Sequence, residues 1–236
     1  MDTTTLIKNS EPFLHYVAEW EAALSSVELS QAVTDPAHVA IISVDVINGF
    51  CHMGPLASPR VKNIIGPIAL LFERAHAAGV RHFVLTQDTH EPDAVEFGQY
   101  PPHCVRGTEE SEAVPEFKAL PFYTDMLTFP KNSISSTIHT GLKTWLNEYP
   151  EVDTFITVGD CTDLCTYQLA MSLRLRANAS QKRQRILLPV DCVDTYDLPV
   201  EAAKQIGAVP HDADLLHLIF LYSMMLNGVE VVRSIR

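Results

Sequence analysis

Basic residues are scarce in this sequence. Its 236 residues include 17 lysines and arginines against 29 aspartates and glutamates, which gives a formal net charge of −12 at pH 7. Because nucleic acids and anionic membranes attract clustered positive charge, we expect neither as a partner. The sequence also lacks an apolar run close to the ~18 residues of a membrane span. Residues 1–5 lack the basic and apolar regions of a secretory signal, so we expect a cytoplasmic protein.

Cysteine is present in an odd number and without regular spacing. The five cysteines are Cys51, Cys104, Cys161, Cys165 and Cys192. This distribution does not form a disulfide framework, and it favours a reducing compartment. The interval between Cys161 and Cys165 also differs from the C-x-x-C spacing of zinc ribbons and thioredoxin-like motifs.

Hydrophobic residues make up 47% of the chain, and the length fits one large domain spanning residues 1–236. Apolar patterning predicts six strands, at residues 38–45, 81–86, 126–129, 153–158, 185–190 and 229–233. It predicts helices at residues 62–78, 137–148, 167–175, 199–207 and 212–227. Strands that alternate with helices are typical of a three-layer α/β/α fold around a parallel sheet.

Two further segments flank or interrupt this alternation. Apolar residues at spacings of three and four predict an extra N-terminal helix over residues 10–29, with Ser10 as its cap and Pro12 in its first turn. Residues 91–122 are proline-rich and show little periodicity. Loops of this length in compact domains are usually functional or disordered, and the aromatic residues and the histidine favour a functional loop.

The chain is organised around residues 157–166, TVGDCTDLCT, which join a predicted buried strand to a predicted helix. Cys165 falls in the first helical turn. Unpaired backbone N–H groups and the helix dipole favour the thiolate there, and the thiolate is the nucleophilic form of cysteine. The alternative is that Cys165 is a small buried apolar residue.

Other reactive side chains also follow predicted strands. Asp45 ends the first strand, Asp88 and His90 follow the second, and Lys131 follows the third. In open parallel sheets ligands bind beyond the carboxyl ends of the strands. Together with Cys165, these residues predict one crevice that holds a nucleophile, an acid/base group and a cation.

Two of these segments resemble the isochorismatase-like cysteine hydrolases, over roughly residues 38–233. The turn GDCTDLC at residues 159–165 is similar to the G-x-x-T-D-x-C turn of that family, and VDVINGF at residues 44–50 is similar to its D-x-Q-N-D-F segment. The resemblance implies a six-stranded, mainly parallel sheet. It also implies a catalytic triad of Asp45, Lys131 and Cys165. The backbone amides of Cys161 and Cys165 would form the oxyanion hole, next to a cis peptide between Asp160 and Cys161.

Within this family, the nicotinamidases match best. QDTH at residues 87–90 is similar to their D-W-H, and YPPHCVRGT at residues 100–108 to their W-P-x-H-C-V-x-G-T. The match implies that Asp88, His90 and His103 bind one divalent transition metal. Two imidazoles and a carboxylate suit zinc best, with iron or manganese as alternatives. Phe50 and Tyr100 would hold the flat ring of the substrate between them.

Four positions depart from the family pattern. Ile47 replaces a glutamine, Gly49 replaces an aspartate, Tyr100 replaces a tryptophan, and Asp160 stands where the family is usually apolar. These changes leave the triad intact and affect the residues expected to contact the metal or the substrate.

The resemblance implies an amidohydrolase of NAD salvage that converts nicotinamide to nicotinic acid and ammonia through a cysteine thioester, and we expect a homo-oligomer. Two alternatives stay open. One is a metal-independent relative that hydrolyses another small amide, a carbamoyl compound or a vinyl ether. The other is a non-catalytic redox or interaction protein that uses Cys161 and Cys165.

Overall fold

A parallel β-sheet forms the centre of the molecule, as the computed structural model shows for residues 2–236. Its strands are β1 (Val39–Val44), β2 (His82–Asp88), β3 (Leu127–Lys131), β4 (Thr154–Asp160), β5 (Arg185–Pro189), β6 (Val193–Asp194) and β7 (Glu230–Val232). Runs of β-branched and other apolar residues build the central strands, and every residue of β1 and β4 is buried. Strands that are buried on both faces are characteristic of parallel sheets covered by helices.

The strand order is β3-β2-β1-β4-β5-β7, and every pairing is parallel. This order confirms the predicted six-stranded sheet. The two-residue strand β6 is a seventh element that the sequence did not predict. It pairs with the end of β4, at Gly159 and Asp160, beyond the point where β5 stops.

Ten α-helices lie among the described residues. They are α1 (Thr3–Ala22), α2 (Leu29–Ala32), α3 (Asn48–Cys51), α4 (Pro59–Asn63), α5 (Ile65–Ala77), α6 (Pro115–Lys118), α7 (Leu142–Glu148), α8 (Cys165–Ala179), α9 (Val200–Ile206) and α10 (Ala213–Leu226). Two buried apolar clusters separate them from the sheet. One contains side chains of α3 to α6, and the other contains side chains of α7, α8 and α10. The architecture therefore has the three predicted layers.

The N-terminal helix lies earlier in the chain than predicted. It spans Thr3–Ala22 rather than residues 10–29, because Asp2 caps it by accepting a 3.0 Å hydrogen bond from the amide of Thr5. Pro12 is inside the helix and not in its first turn. The apolar spacing of the segment was informative, but Ser10 and Pro12 gave the wrong start.

Two other helices differ from their predicted bounds. The helix expected over residues 62–78 is divided at Ile64 into α4 and α5. The helix expected over residues 137–148 begins only at Leu142. His139, with a φ of 54°, and the hydroxyl of Thr140, which donates to the carbonyl of Ser136, hold the preceding residues in turns.

Helix α1 packs against α10 through aromatic side chains. Phe13, Tyr16 and Trp20 meet the ring of Tyr222 edge-on, with centroids 5.5, 6.0 and 5.4 Å apart. Such edge-to-face pairs add stabilisation beyond the area they bury. We therefore propose that the described residues, 2–236, form a single domain and that α1 is an addition to its edge.

Candidate active site

The sheet reverses its direction of winding between β1 and β4. After β1 the chain adds β2 and β3 on one side, and after β3 it returns to add β4, β5 and β7 on the other. Such a switch point leaves a crevice beyond the carboxyl ends of the two strands. Gly159 of β4 brings the strands close there, because a Cβ at this position would lie 2.0 Å from the carbonyl oxygen of Val44.

Asp45 follows β1 directly and is buried, with a φ of 56°. Its Oδ1 accepts a 2.7 Å hydrogen bond from the backbone amide of Asp88. Its Oδ2 lies 2.7 Å from Nζ of Lys131, as an ion pair without the angles of a hydrogen bond. Burial, and then the charge of Asp88, raise the pKa of Asp45 to about 7 against the opposing charge of Lys131.

Lys131 ends β3, and its ammonium group contacts three of the predicted residues: Asp45, Asp88 and Cys165. Its Nζ donates to Oδ1 of Asp88 at 2.6 Å, to Sγ of Cys165 at 3.7 Å and to the carbonyl of Ser133 at 3.2 Å. Burial alone would lower the pKa of Lys131, but the two carboxylates hold it well above its usual range. The lysine is therefore a buried permanent cation.

Cys165 is the first residue of α8, as the sequence predicted. Its Sγ, a carboxylate oxygen of Asp45 and one of Asp88 all lie within 4.8 Å of one another. Burial raises the pKa of the Cys165 thiol well above its usual range, although Lys131 opposes the shift. Burial therefore opposes the thiolate that the helix terminus favours. A carboxylate oxygen of Asp45 is within reach of the thiol and can act as its base.

Two backbone amides lie next to this thiol. The peptide between Asp160 and Cys161 is cis, as the resemblance implied. The carbonyl of Cys161 accepts hydrogen bonds from the amides of Leu164 and Thr166. Among residues 2–236, the amides of Cys161 and Cys165 themselves donate no hydrogen bond, so both are available to an oxyanion.

Asp88, His90 and His103 form a second, adjoining cluster. All three are buried, and one ligand atom from each lies within 4.8 Å of the others. Nε2 of His90 is 3.5 Å from Oδ1 of Asp88, and Nε2 of His103 is 4.0 Å from Oδ2. The residues that the sequence proposed as metal ligands thus come together, although they are separated by a long loop.

Hydrogen bonds fix the tautomer of each imidazole. Oδ1 of Asn132 accepts from the amide of Glu91, which identifies it as the oxygen, and lies 3.1 Å from Nδ1 of His90. Nδ1 of His103 is 2.8 Å from the carbonyl of Pro101. Both Nδ1 atoms therefore carry protons, and in the neutral rings both Nε2 atoms then have a lone pair that faces Asp88.

This arrangement fits a divalent transition metal. Nε2 of His90 is buried and has no hydrogen-bond partner among the described residues. Lone pairs on two imidazole nitrogens beside a carboxylate are a donor set that zinc, iron and manganese accept. A second group of Asp45, Asp88 and Cys165 has a similar spacing, but the ammonium of Lys131 already lies among its atoms.

A cleft with about 480 Å³ of empty space opens onto both clusters. Phe50 and Tyr100, the expected ring contacts, line it, and their rings lie 5.5 and 6.2 Å from the ring of His103. Glu96 and Tyr196 also line the cleft. Neither residue could be identified from the sequence, because each lies in a segment whose path depends on tertiary packing.

The structure accounts for two departures from the family pattern. Ile47 is completely buried in the apolar cluster beneath α3, where a glutamine amide would need hydrogen-bond partners. Gly49 has no room for a side chain, since a Cβ there would lie 2.5 Å from Sγ of Cys104. Both residues therefore serve packing at this position.

Sequence comparison extends over most of the chain. Residues 39–209 match the isochorismatase domain family. The chain is also 32% identical to nicotinamidase 1 of Arabidopsis thaliana over 216 residues, which cover 84% of this chain and 86% of that protein.

Solved structures share the fold at lower identity. N-carbamoylsarcosine amidase from Thermoplasma acidophilum superposes with a TM-score of 0.62 and 23% identity, covering 83% of this chain and 96% of that chain. Pyrazinamidase of Pyrococcus horikoshii in complex with zinc gives a TM-score of 0.62 and 22% identity, covering 83% of this chain and 99% of that chain.

Proposed function

This chain belongs to the isochorismatase family, and we propose that it hydrolyses nicotinamide to nicotinic acid and ammonia through a thioester on Cys165. It is a hydrolase of carbon–nitrogen bonds. The observation that supports the finer assignment is the adjacency of two clusters around Lys131: a thiol beside a carboxylate, and two imidazoles beside another carboxylate. The thiol and its carboxylate suit acyl transfer. The two imidazoles and their carboxylate suit a metal ion that would recognise the pyridine ring of the substrate.

The first half of the reaction uses Asp45 as the base. Its pKa of about 7 places it near the pH at which a general base works best. Asp45 takes the proton of the Cys165 thiol, and Sγ attacks the carboxamide carbon. The negative charge that forms on the carboxamide oxygen lies against the amides of Cys161 and Cys165. Lys131 stabilises the developing thiolate by its charge.

The second half returns the proton and consumes water. Asp45 gives its proton to the nitrogen, the carbon–nitrogen bond breaks, and ammonia leaves a thioester on Cys165. Asp45 then accepts a proton from water as the water oxygen attacks the thioester carbon. The carbon–sulfur bond breaks, nicotinic acid forms, and the proton returns to Cys165.

Substrate binding would involve two aromatic residues of the cleft and the second cluster. Phe50 and Tyr100 would pack on the faces of the pyridine ring. Asp88, His90 and His103 would hold one divalent transition metal, with zinc as the best fit. A bound ion would supply a Lewis-acid contact to the pyridine nitrogen.

We propose that the activity serves NAD salvage in the cytoplasm, because nicotinic acid is a precursor of pyridine nucleotides.

We also propose that the protein is a homo-oligomer. The exposed apolar side chains of α1, which include Ile7 and Tyr16, support this proposal. Sedimentation equilibrium that returned a monomer mass would exclude the oligomer. None of the helices within residues 2–236 has the length and hydropathy of a membrane span.

Ammonia release from a panel of carboxamides, with and without chelator, tests the function. Nicotinamide should be hydrolysed, and chelation should abolish this activity. Benzamide, which lacks the ring nitrogen, should be a poor substrate in both conditions. Equal turnover of benzamide and nicotinamide would contradict the assignment. Hydrolysis that survives chelation would instead support the metal-independent alternative. It would be followed as ammonia for a carbamoyl compound and as the carbonyl product for a vinyl ether, which releases no ammonia.

Inactivity on every compound, together with a reversible Cys161–Cys165 disulfide, would support the redox alternative. All five cysteines are buried free thiols in the structure.

A further inference from the structure

Asp160 is a buried carboxyl group that the mechanism above does not use. It is the last residue of β4, is 1% exposed and lines the cleft. Its Oδ2 lies 3.7 Å from the thiol of Cys161. Its Oδ1 has no hydrogen-bond partner among residues 2–236. Since nearly all buried polar atoms in proteins are paired, an unpaired oxygen on a residue that lines a cleft indicates a missing partner.

The position of Asp160 in β4 indicates on which side of the cleft its side chain lies. Side chains alternate along a strand, so Asp160 lies on the same face of β4 as Ile156 and Val158. Those two residues belong to the apolar cluster that contains Phe50 and Val61, which also line the cleft. Asp160 is therefore on the side of the cleft where the aromatic ring would lie.

The surroundings of Asp160 favour the neutral form of its carboxyl group. Burial, and then the charge of Asp45, raise the pKa of Asp160 well above its usual range, although Lys131 opposes the shift. A protonated carboxyl has one O–H donor and retains acceptor capacity. It can therefore pair with a hydroxyl or an amino group and does not require a charged partner.

We propose that Asp160 is a specificity-determining residue whose unpaired carboxyl oxygen binds a hydrogen-bonding substituent on the ring of the substrate. The preferred substrate is then a pyridine carboxamide that carries a hydroxyl or amino group in addition to its carboxamide. This inference rests on the proposed function. The carboxamide reacts at Cys165 and the ring nitrogen lies toward His90 and His103, so Asp160 provides a third polar contact.

The test compares nicotinamide with its four ring-hydroxylated isomers. For each compound, kcat and KM are measured in the parent, in Asp160→Asn and in Asp160→Leu. The parent should prefer at least one isomer to nicotinamide by about tenfold or more in kcat/KM, because a pocket built to hydrogen-bond a substrate discriminates against the analogue that lacks the group. Asp160→Leu should remove this preference mainly through KM. Asp160→Asn, which keeps a donor and an acceptor, should retain most of it.

Thermal unfolding separates this role from a structural one. Leucine has a similar shape to aspartate and removes the unpaired buried oxygen, so Asp160→Leu should raise Tm by about 2–4 °C. A lower Tm together with unchanged substrate preference would show that Asp160 supports the fold. A parent that prefers no isomer, or a preference that persists in Asp160→Leu, would overturn the inference while nicotinamide hydrolysis still stood. Failure of the proposed function is distinct, because no carboxamide would then release ammonia.

Discussion

The backbone amide of Asp88 donates a hydrogen bond of 2.7 Å to the carboxylate of Asp45. Asp88, a residue of the proposed metal cluster, thereby holds the proposed base in place through its main chain, while its side chain accepts a hydrogen bond from Lys131. The two clusters are consequently one hydrogen-bonded unit. A change in the position of β2 at Asp88 would move the base as well as the metal ligands.

Replacement of Cys165 tests the nucleophile. Cys165→Ala should lower turnover of nicotinamide by at least about three orders of magnitude, as removal of other covalent nucleophiles does. Cys161→Ala is the matched control, because only the backbone amide of Cys161 is proposed to act, and it should cost far less. Steady-state ammonia release measures both variants. Activity of Cys165→Ala within tenfold of the parent would eliminate the assignment.

Metal content tests the second cluster directly. Elemental analysis of the purified protein should find about one transition metal per chain, as expected for a site with three protein ligands. His90→Ala and His103→Ala should each reduce this content sharply. His15→Ala, on the exposed surface of α1, should leave it at the parental level. Full occupancy in both cluster variants would rule the site out.

Lys131 should contribute to stability as well as to activity. Lys131→Met leaves Asp45 and Asp88 as unpaired buried carboxylates, which should reduce the free energy of unfolding by about 3–5 kcal/mol. Lys118→Met is the matched control, because it breaks a solvent-exposed ion pair with Glu112 and should cost no more than about 1 kcal/mol. Urea denaturation measures both. Equal losses would show that the buried ammonium is not needed to compensate the carboxylates.

A second buried pair predicts a pH dependence of stability. His211 lies 2.8 Å from Asp163, which also accepts from Thr195 at 2.6 Å. Burial alone would raise the pKa of Asp163 and lower that of His211. Their interaction outweighs burial, so the pKa of Asp163 is lowered and that of His211 is raised. The stabilisation is therefore complete where Asp163 is ionised and His211 is protonated, at about pH 4.5–6. It is lost as pH rises through the raised pKa of His211 or falls through the lowered pKa of Asp163.

The variant His211→Gln measures this contribution. Near pH 5.5 the parent should exceed the variant by about 1–3 kcal/mol in the free energy of unfolding. The difference should shrink steadily toward alkaline pH. His38→Gln, at an exposed pair with Asp35 and Asp153, serves as the control. A difference that grows with pH would have the wrong sign for a protonated His211.

The sheet and the principal site residues could be predicted because their signals are local. The strands β1 and β4 are buried throughout and rich in β-branched residues. Asp45 follows the first strand, and the turn to Cys165 follows the second. Parallel pairing then places both residues at one edge of the sheet. The resemblance added His103, which no periodicity connects to His90.

The remaining features depend on contacts between distant segments. The tautomer of His90 depends on Asn132, 42 positions further along the chain. The strand β6 is two residues long and forms only because β5 stops short of the end of β4. The environment of Cys165 is only partly visible in the sequence: the helix terminus that favours its thiolate can be recognised there, and the burial that opposes the thiolate cannot.

The close approach of Gly159 to Val44 has a consequence for redesign of this enzyme. Since it fixes the crossing of two buried strands, the separation of base and nucleophile is set by main chain in the core and not by the cleft loops. The side chains of Phe50, Tyr100 and Tyr196 could therefore be varied to admit new substrates. Asp45 and Cys165 would keep their relative positions in such variants, so a library could be screened for specificity alone.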